Sequence, residues 1–299
     1  MRITTNSLTN SLIQQVQMLG TQQTQEQQEL STGLSVTNPS DNPAVMGQVL
    51  DMGSQMQQLQ QYSKNNATAT QIAQQSYTSL STLQTISTTA NELADTGAGG
   101  TTSSTTYQAY QQQLTQLITQ GLQTANAQFN GSYIFGGTQT TTPPFTATYD
   151  ANGDITGVTY TGTAAGASMQ TGQSSVVSPY TDGATNQQIA GFLNNLVSLK
   201  SAMASQSPTA VQAVQAGLQT SENNILSAAS GVGAVQSGLE ADENLNQSAF
   251  TSIQSLVSND TSADIATTTV QLAQTQAAYQ AALESGAKIL QTSLLNYLS

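Results

Sequence analysis

The sequence predicts a mainly α protein with a small β domain: a long antiparallel, coiled-coil-like helical stalk formed by the N- and C-terminal arms, with a β-rich domain inserted mid-chain. Three observations lead there. All six prolines lie at 39, 43, 143, 144, 179 and 208, so residues 44–142 and 209–299 contain none. A proline costs about 3 kcal/mol inside a helix, so proline-free arms leave room for long ones. Apolar residues in both arms recur every three or four positions, the period of one helix face. Between the arms, FTATYDANGDITGVTY (145–160) reads as two strands about an Asn-Gly turn, a strong hairpin signal.

In the first arm Leu8, Leu12, Val16, Leu19 and Leu30 keep the helical rhythm around a polar interval at 20–29. STGLSVTNPSDNP (31–43) breaks it, and Asp41 or Asn42 is expected to cap a helix whose first residue is Pro43. From there Val45, Val49, Met52, Met56, Leu59, Ala69, Ala73, Leu80, Leu83, Ala90 and Leu93 form a heptad-like stripe. A helix of ~50 residues would be about 75 Å long. TGAGGTTSSTT (96–106) is a flexible break, after which Tyr107, Tyr110, Leu114, Leu117, Leu122, Ala125 and Phe129 restore the period.

NGSYIFGGTQTTTPPF (130–145) marks the passage from helix to β domain, with Tyr133, Ile134, Phe135, Gly136, Gly137 and Phe145 as the expected anchor. At period two, Tyr133 and Phe135 would share a face with Ile134 on the other, and Gly136 is expected at positive φ. Residues 161–180, rich in Gly and Ser, could add short strands, and the β domain is placed at the far end of the stalk. Ile189, Phe192, Leu193 and Leu196 indicate a helix near 185–205. After Pro208, a second ~50-residue helix carries Val211, Val214, Leu218, Ile225, Val232, Val235, Leu239, Leu245, Ile253 and Leu256. SNDTSAD (258–264) makes a turn, with Thr261 or Ser262 as a cap for a last helix striped by Leu272, Tyr279, Leu283, Leu290, Leu294 and Tyr297. The expected division is terminal helices at 1–43 and 259–299, stalk at 44–129 and 185–258, and an outer β domain at 130–184.

Composition narrows function. Charged residues make up 7% of the chain, against about 25% in an ordinary soluble domain. Gln and Thr supply the polar surface instead. With four Lys/Arg against 16 Asp/Glu, the net charge of −12 repels a phosphate backbone. The absence of Cys and His removes thiolate and imidazole chemistry and the usual zinc ligands. The first ten residues lack the apolar core of a secretory signal, and no run is long enough to span a bilayer.

Candidate sites are few. DANGD sets Asp150, Asn152 and Asp154 at alternate positions like a calcium loop, but Ile155 and Thr161 stand where Gly and Glu are needed, so a hairpin turn is expected. Glu240, Asp242 and Glu243 read as a solvated face, with a register-fixing seam position for Asp242 as the alternative. GGTQT (136–140) lacks the Lys of a phosphate loop. No enzyme, metal or cofactor is expected. Short terminal helices are marginal in water unless paired, and their low-charge faces suit burial by further copies. Leu8, Leu12, Val16, Leu19, Leu30, Leu272, Tyr279, Leu283, Leu290, Leu294 and Tyr297 are the expected assembly interface.

Three segments carry a family resemblance. MRITTNSL with LSTGLSVTNPSDNPA (30–44), NGSYIFGGTQTTTPPF (130–145) and AYQAALESGAKILQTSLLNYL (278–298) resemble the flagellin family, with Asn42 and Asn296 where its members commonly carry Asp. The middle and last segments resemble the branch at the hook–filament junction. The resemblance implies a structural adapter between hook and filament, exported through the flagellar type III apparatus with a chaperone and located on the flagellum outside the cell. It implies hook-associated protein 1, flagellin and self-association into a ring as partners. The alternatives are a filament subunit and, from another class, a secreted adhesin-like stalk whose β domain binds a ligand. The lack of Trp disfavours the adhesin.

Overall fold

The computed structural model describes the backbone of residues 5–100 and 102–298 and the side chains of 10–100 and 102–288. The chain divides into two compact units, residues 1–58 with 250–299 and residues 59–249. Six helices are present among the described residues: α1 (Thr5–Thr32), α2 (Pro43–Ala98), α3 (Ser104–Ala125), α4 (Gly183–Ala204), α5 (Pro208–Thr261) and α6 (Ile265–Leu298). Three antiparallel strand pairs lie between α3 and α4: β1 (Gln128–Phe129) with β2 (Ser132–Tyr133), β3 (Phe145–Tyr149) with β4 (Ile155–Tyr160), and β5 (Met169–Gln170) with β6 (Val176–Val177). The mainly α class with a small mid-chain β region is therefore what the chain adopts.

In the 59–249 unit the buried face of α2 alternates steps of four and three: Tyr62, Asn66, Ala69, Ala73, Ser76, Leu80, Leu83, Ser87, Ala90, Ala94 and Gly97. On α5 the buried line is a strict heptad of Val211, Leu218, Ile225, Val232, Leu239 and Asn246. The seven-residue repeat keeps one stripe facing the partner, which is the coiled-coil arrangement. Side-chain bonds Ser63–Glu243, Gln74–Gln236, Asn91–Glu222 and Asp95–Gln215 give the antiparallel register. Near the α2–α3 and α4–α5 turns, Ile86, Leu93, Leu114, Ile118, Phe192, Leu193, Leu196, Leu199 and Met203 form a core shared by α3 and α4.

The turns are chosen by local chemistry. Asn42, not Asp41, caps α2, its Oδ1 accepting the Val45 N–H at 3.2 Å, while Asp41 folds the preceding loop by accepting from the Thr37 and Asn38 N–H groups. Neither Thr261 nor Ser262 caps the last helix. Asp264 does, accepting from the Ala266 N–H and the Thr267 hydroxyl, because α5 runs on to Thr261 and α6 starts only at Ile265. Asp150 and Gly153 close the Asn-Gly turn: Asp150 accepts from the Asn152 and Asp154 N–H groups, and Gly153 sits at φ 84.

The β region does not stand at the far end of this unit. That end is formed by the two helix turns, where Met203 and Val211 close on Gly97 and the Tyr107 hydroxyl donates to the Gly97 carbonyl. Because α3 and α4 are short and fold back, the strands they bracket lie beside α2 and α5. Gln170 of β5 bonds Asn65 and Tyr62 of α2, and Thr171 bonds Asp242 of α5.

Candidate functional site

Two places collect the residues singled out by sequence. The first is the antiparallel α1–α6 pair in the 1–58/250–299 unit. Its more buried positions alternate like those of a coiled coil: Leu12, Val16, Leu19, Gln23, Glu26 and Leu30 on α1, and Thr268, Leu272, Thr275, Tyr279, Ala282 and Gly286 on α6. Three contacts set the register. Leu12 fills the space a side chain at Gly286 would need, the Tyr279 ring lies against Gly20, and the Thr275 hydroxyl donates to Glu26 Oε1 at 3.0 Å. The chain crosses between the helices on a short bridge of Leu34 with Ser262, extended by the Ser35 N–H on the Thr261 carbonyl.

This pairing places Leu12, Val16, Leu19, Leu30, Leu272 and Tyr279 on the intramolecular seam, each half-buried. Leu283 lies off it, 48% exposed, as do Ile13, Met18 and Val270. Leu8, Leu290, Leu294 and Tyr297 lie on helical backbone, and their side chains fall outside the described residues. The seam is thin in apolar area, since its most buried α6 positions are Thr268, Thr275 and Ala282. At ~25 cal/mol per Å² such residues contribute far less than leucines would. Glu26 is buried there, with Oε1 held by Gln22 and Thr275 and Oε2 without a partner.

The second place is the β anchor. Ile134 and Phe135 are both fully buried while Tyr133 is half-buried, so the expected alternation fails. The reason is that β2 ends at Tyr133 and the chain turns at once. Gly136 is not at positive φ. It is needed because a Cβ there would run into the Gln139 carbonyl, whereas Gly137 has φ 68 and lies against Thr163. Phe145 is buried with its ring 5.3 Å from that of Tyr160.

Three asparagines that sequence reading passed over fasten these segments. Asn126 pairs with both the N–H and the carbonyl of Phe145, and Asn194 does the same for Val158, each imitating a neighbouring strand. Asn186, wholly buried, donates to the Phe135 carbonyl at 2.9 Å and the Tyr160 hydroxyl at 3.1 Å, and accepts from Thr181 at 2.6 Å. Nothing local distinguishes them from turn or cap asparagines.

The acidic residues divide. Asp242 is half-buried and accepts from Thr171 and Ser175, both at 2.6 Å, which ties the β5–β6 hairpin to α5. Glu243 accepts from Ser63 and Asn66 of α2, and Glu240 is exposed. Asp154 pairs with Lys200 at 2.8 Å. Among the described residues no three carboxylates converge as metal ligands, and no helix is long and apolar enough to cross a membrane.

Residues 3–140 match the bacterial flagellin N-terminal helical region. No curated protein sequence matches the chain. Among solved structures it is similar to a flagellar hook-associated protein of Vibrio parahaemolyticus, with 17% identity, TM-score 0.66, and 74% of this chain and 100% of that one covered. It is also similar to flagellar hook-associated protein 3 of Legionella pneumophila, with 13% identity, TM-score 0.56, and coverage of 70% and 97%. The flagellar junction protein FlgL of Legionella pneumophila aligns at 13% identity and TM-score 0.54, over 72% and 99%. At such identities the likeness is one of fold.

Proposed function

The chain belongs to the flagellin family through its residues 3–140, and from that premise we propose that it is a structural, non-enzymatic subunit at the hook–filament junction, the part played by hook-associated protein 3. The observation that carries the reading is where apolar surface is left uncovered. Ile13, Met18, Leu34, Leu50, Leu256, Ile265, Val270 and Leu283 are all exposed in the 1–58/250–299 unit, on faces poor in charge. A monomer gains nothing from them, whereas a packed ring of copies covers them at ~25 cal/mol per Å² before ordering costs. Segments 1–43 and 259–299 are the polymerising part in this reading, and 130–184 the outer part. Hook-associated protein 1 lies on one side of the ring and flagellin on the other. The chain reaches the flagellum through the type III export apparatus, with an export chaperone.

Immunogold labelling tests the position. Label confined to the junction supports the adapter, and label along the whole filament replaces it with the filament-subunit reading. Leu283→Asp tests the surface: it sets a carboxylate where a neighbouring copy packs, a cost of several kcal/mol if left unpaired. Exported variant with flagellin shed into the medium is the expected result, and normal filaments would remove α6 from the interface.

A further inference from the structure

A groove of 610 Å³ runs between α2 and α5 within the 59–249 unit, and Ser63, Asn66, Glu240 and Glu243 line it. Asn66 is the inner wall. It is 2% exposed, and its carbonyl oxygen Oδ1 has no hydrogen-bond partner, a state that costs about 1–3 kcal/mol. Its amide Nδ2 reaches Glu243 Oε2 at 3.3 Å, so the orphaned oxygen and the carboxylate belong to neighbouring groups. Glu243 Oε1 is held by the Ser63 hydroxyl at 2.6 Å, again a neutral donor. Glu240 stands three residues before Glu243 on the same helix, close enough for the two carboxylates to face one ligand.

We propose that this groove binds a hard divalent cation, calcium, through the carboxylates of Glu243 and Glu240 and the amide oxygen of Asn66. The lack of His and Cys, which argues against zinc, has no bearing on a cation that prefers oxygen ligands. Calcium sits 2.3–2.6 Å from its oxygens, nearer than a water molecule approaches, so an oxygen too enclosed to be hydrated still serves. Two carboxylates and a neutral amide place the site in the weak class, with Kd of about 0.1–1 mM. Its effect is to bridge α2 and α5 where their seam is polar instead of apolar.

The test uses the full chain and calcium chloride in a calorimetric titration, with terbium luminescence as a second readout. Tyr62, one helical turn before Asn66, can sensitise the lanthanide. Binding at a stoichiometry of one, weakened at least tenfold by Glu240→Gln and by Glu243→Gln and unaffected by Glu92→Gln, is expected. Glu240 is exposed, so its replacement tests the site without threatening the fold. Absence of binding at ten times the weak end of that range, unchanged affinity in Glu240→Gln, or equal binding of magnesium as a diffuse counter-ion would each overturn the proposal.

Discussion

Removing the side chain of Asn186 gives the sharpest measure of how the β region is attached. Asn186→Ala strips partners from the Phe135 carbonyl and the Thr181 hydroxyl, both in buried residues. The Tyr160 hydroxyl also loses a bond but keeps one to the Thr163 carbonyl at 3.0 Å. Two orphaned groups at about 1–3 kcal/mol each give 2–6 kcal/mol, from which better helix propensity returns a few tenths. Such a loss is a large share of the ~5–15 kcal/mol that holds an ordinary domain. Urea unfolding should record it, and hydrogen exchange should localise it. Protection should fall over 130–137 and 155–181 while the α5 line from Val211 to Leu239 keeps its own. A loss under about 1 kcal/mol with protection unchanged over both β segments would show that apolar packing alone attaches them, and the reasoning from hydrogen-bond satisfaction would fail.

Phe135→Ala should cost about 3–5 kcal/mol by emptying a fully buried site, measured by the same unfolding curves. Gly137→Val should prevent the 130–145 passage from closing, since φ 68 disfavours a β-branched residue and Thr163 occupies the space; loss of exchange protection at 132–145 is the check. Asp242→Asn should free the β5–β6 hairpin by about 1.5–3 kcal/mol, seen as faster exchange at 169–177 with 211–232 unchanged. Acid should weaken the turns. Asp41 is held below the usual carboxylate range by the Asn38 and Thr37 N–H groups, Asp150 by the Asp154 N–H, and Asp182 and Asp264 first by the Thr185 and Thr267 hydroxyls. A lowered folded-state pKa gives stability that is whole above about pH 4 and is lost as pH falls through the folded values. Thermal melts by circular dichroism between pH 7 and pH 2 should be flat down to about pH 4 and fall below it.

What the sequence made legible was periodic. The line Val211, Leu218, Ile225, Val232, Leu239 could be read because each member is apolar and evenly spaced, and the helix it predicts runs from Pro208 to Thr261. The heptad ends in Asn246, whose amide donates to the Thr171 carbonyl, and a polar residue on a core line carries no apolar signal. The turn back of α3 and α4 was hidden for a related reason. It depends on which faces of α2 hold small residues: Gly97 receives Met203, and Gly121 of α3 receives Leu193. Spacing shows that a helix has a buried face but not which partner covers it. Asn126, Asn186 and Asn194 were invisible because their role is defined by strands distant in sequence, with partners 19 to 51 residues away. The cap at Asp264 was misplaced by a few residues in a run where several side chains could serve.

The carboxylates of α2 and α5 have an environmental consequence. Glu222 is held by Asn91, Asp95 by Gln215, Asp242 by Thr171 and Ser175, and Glu243 by Ser63 and Asn66. Dissolved salt loosens exposed ion pairs by screening one charge from another, but a hydroxyl or amide donating to a carboxylate is far less sensitive. What remains for salt to screen is the mutual repulsion behind a net charge of −12. Raising the ionic strength therefore removes a cost and takes little away. The chain should tolerate brine better than fresh water, the reverse of a protein fastened by lysine and arginine.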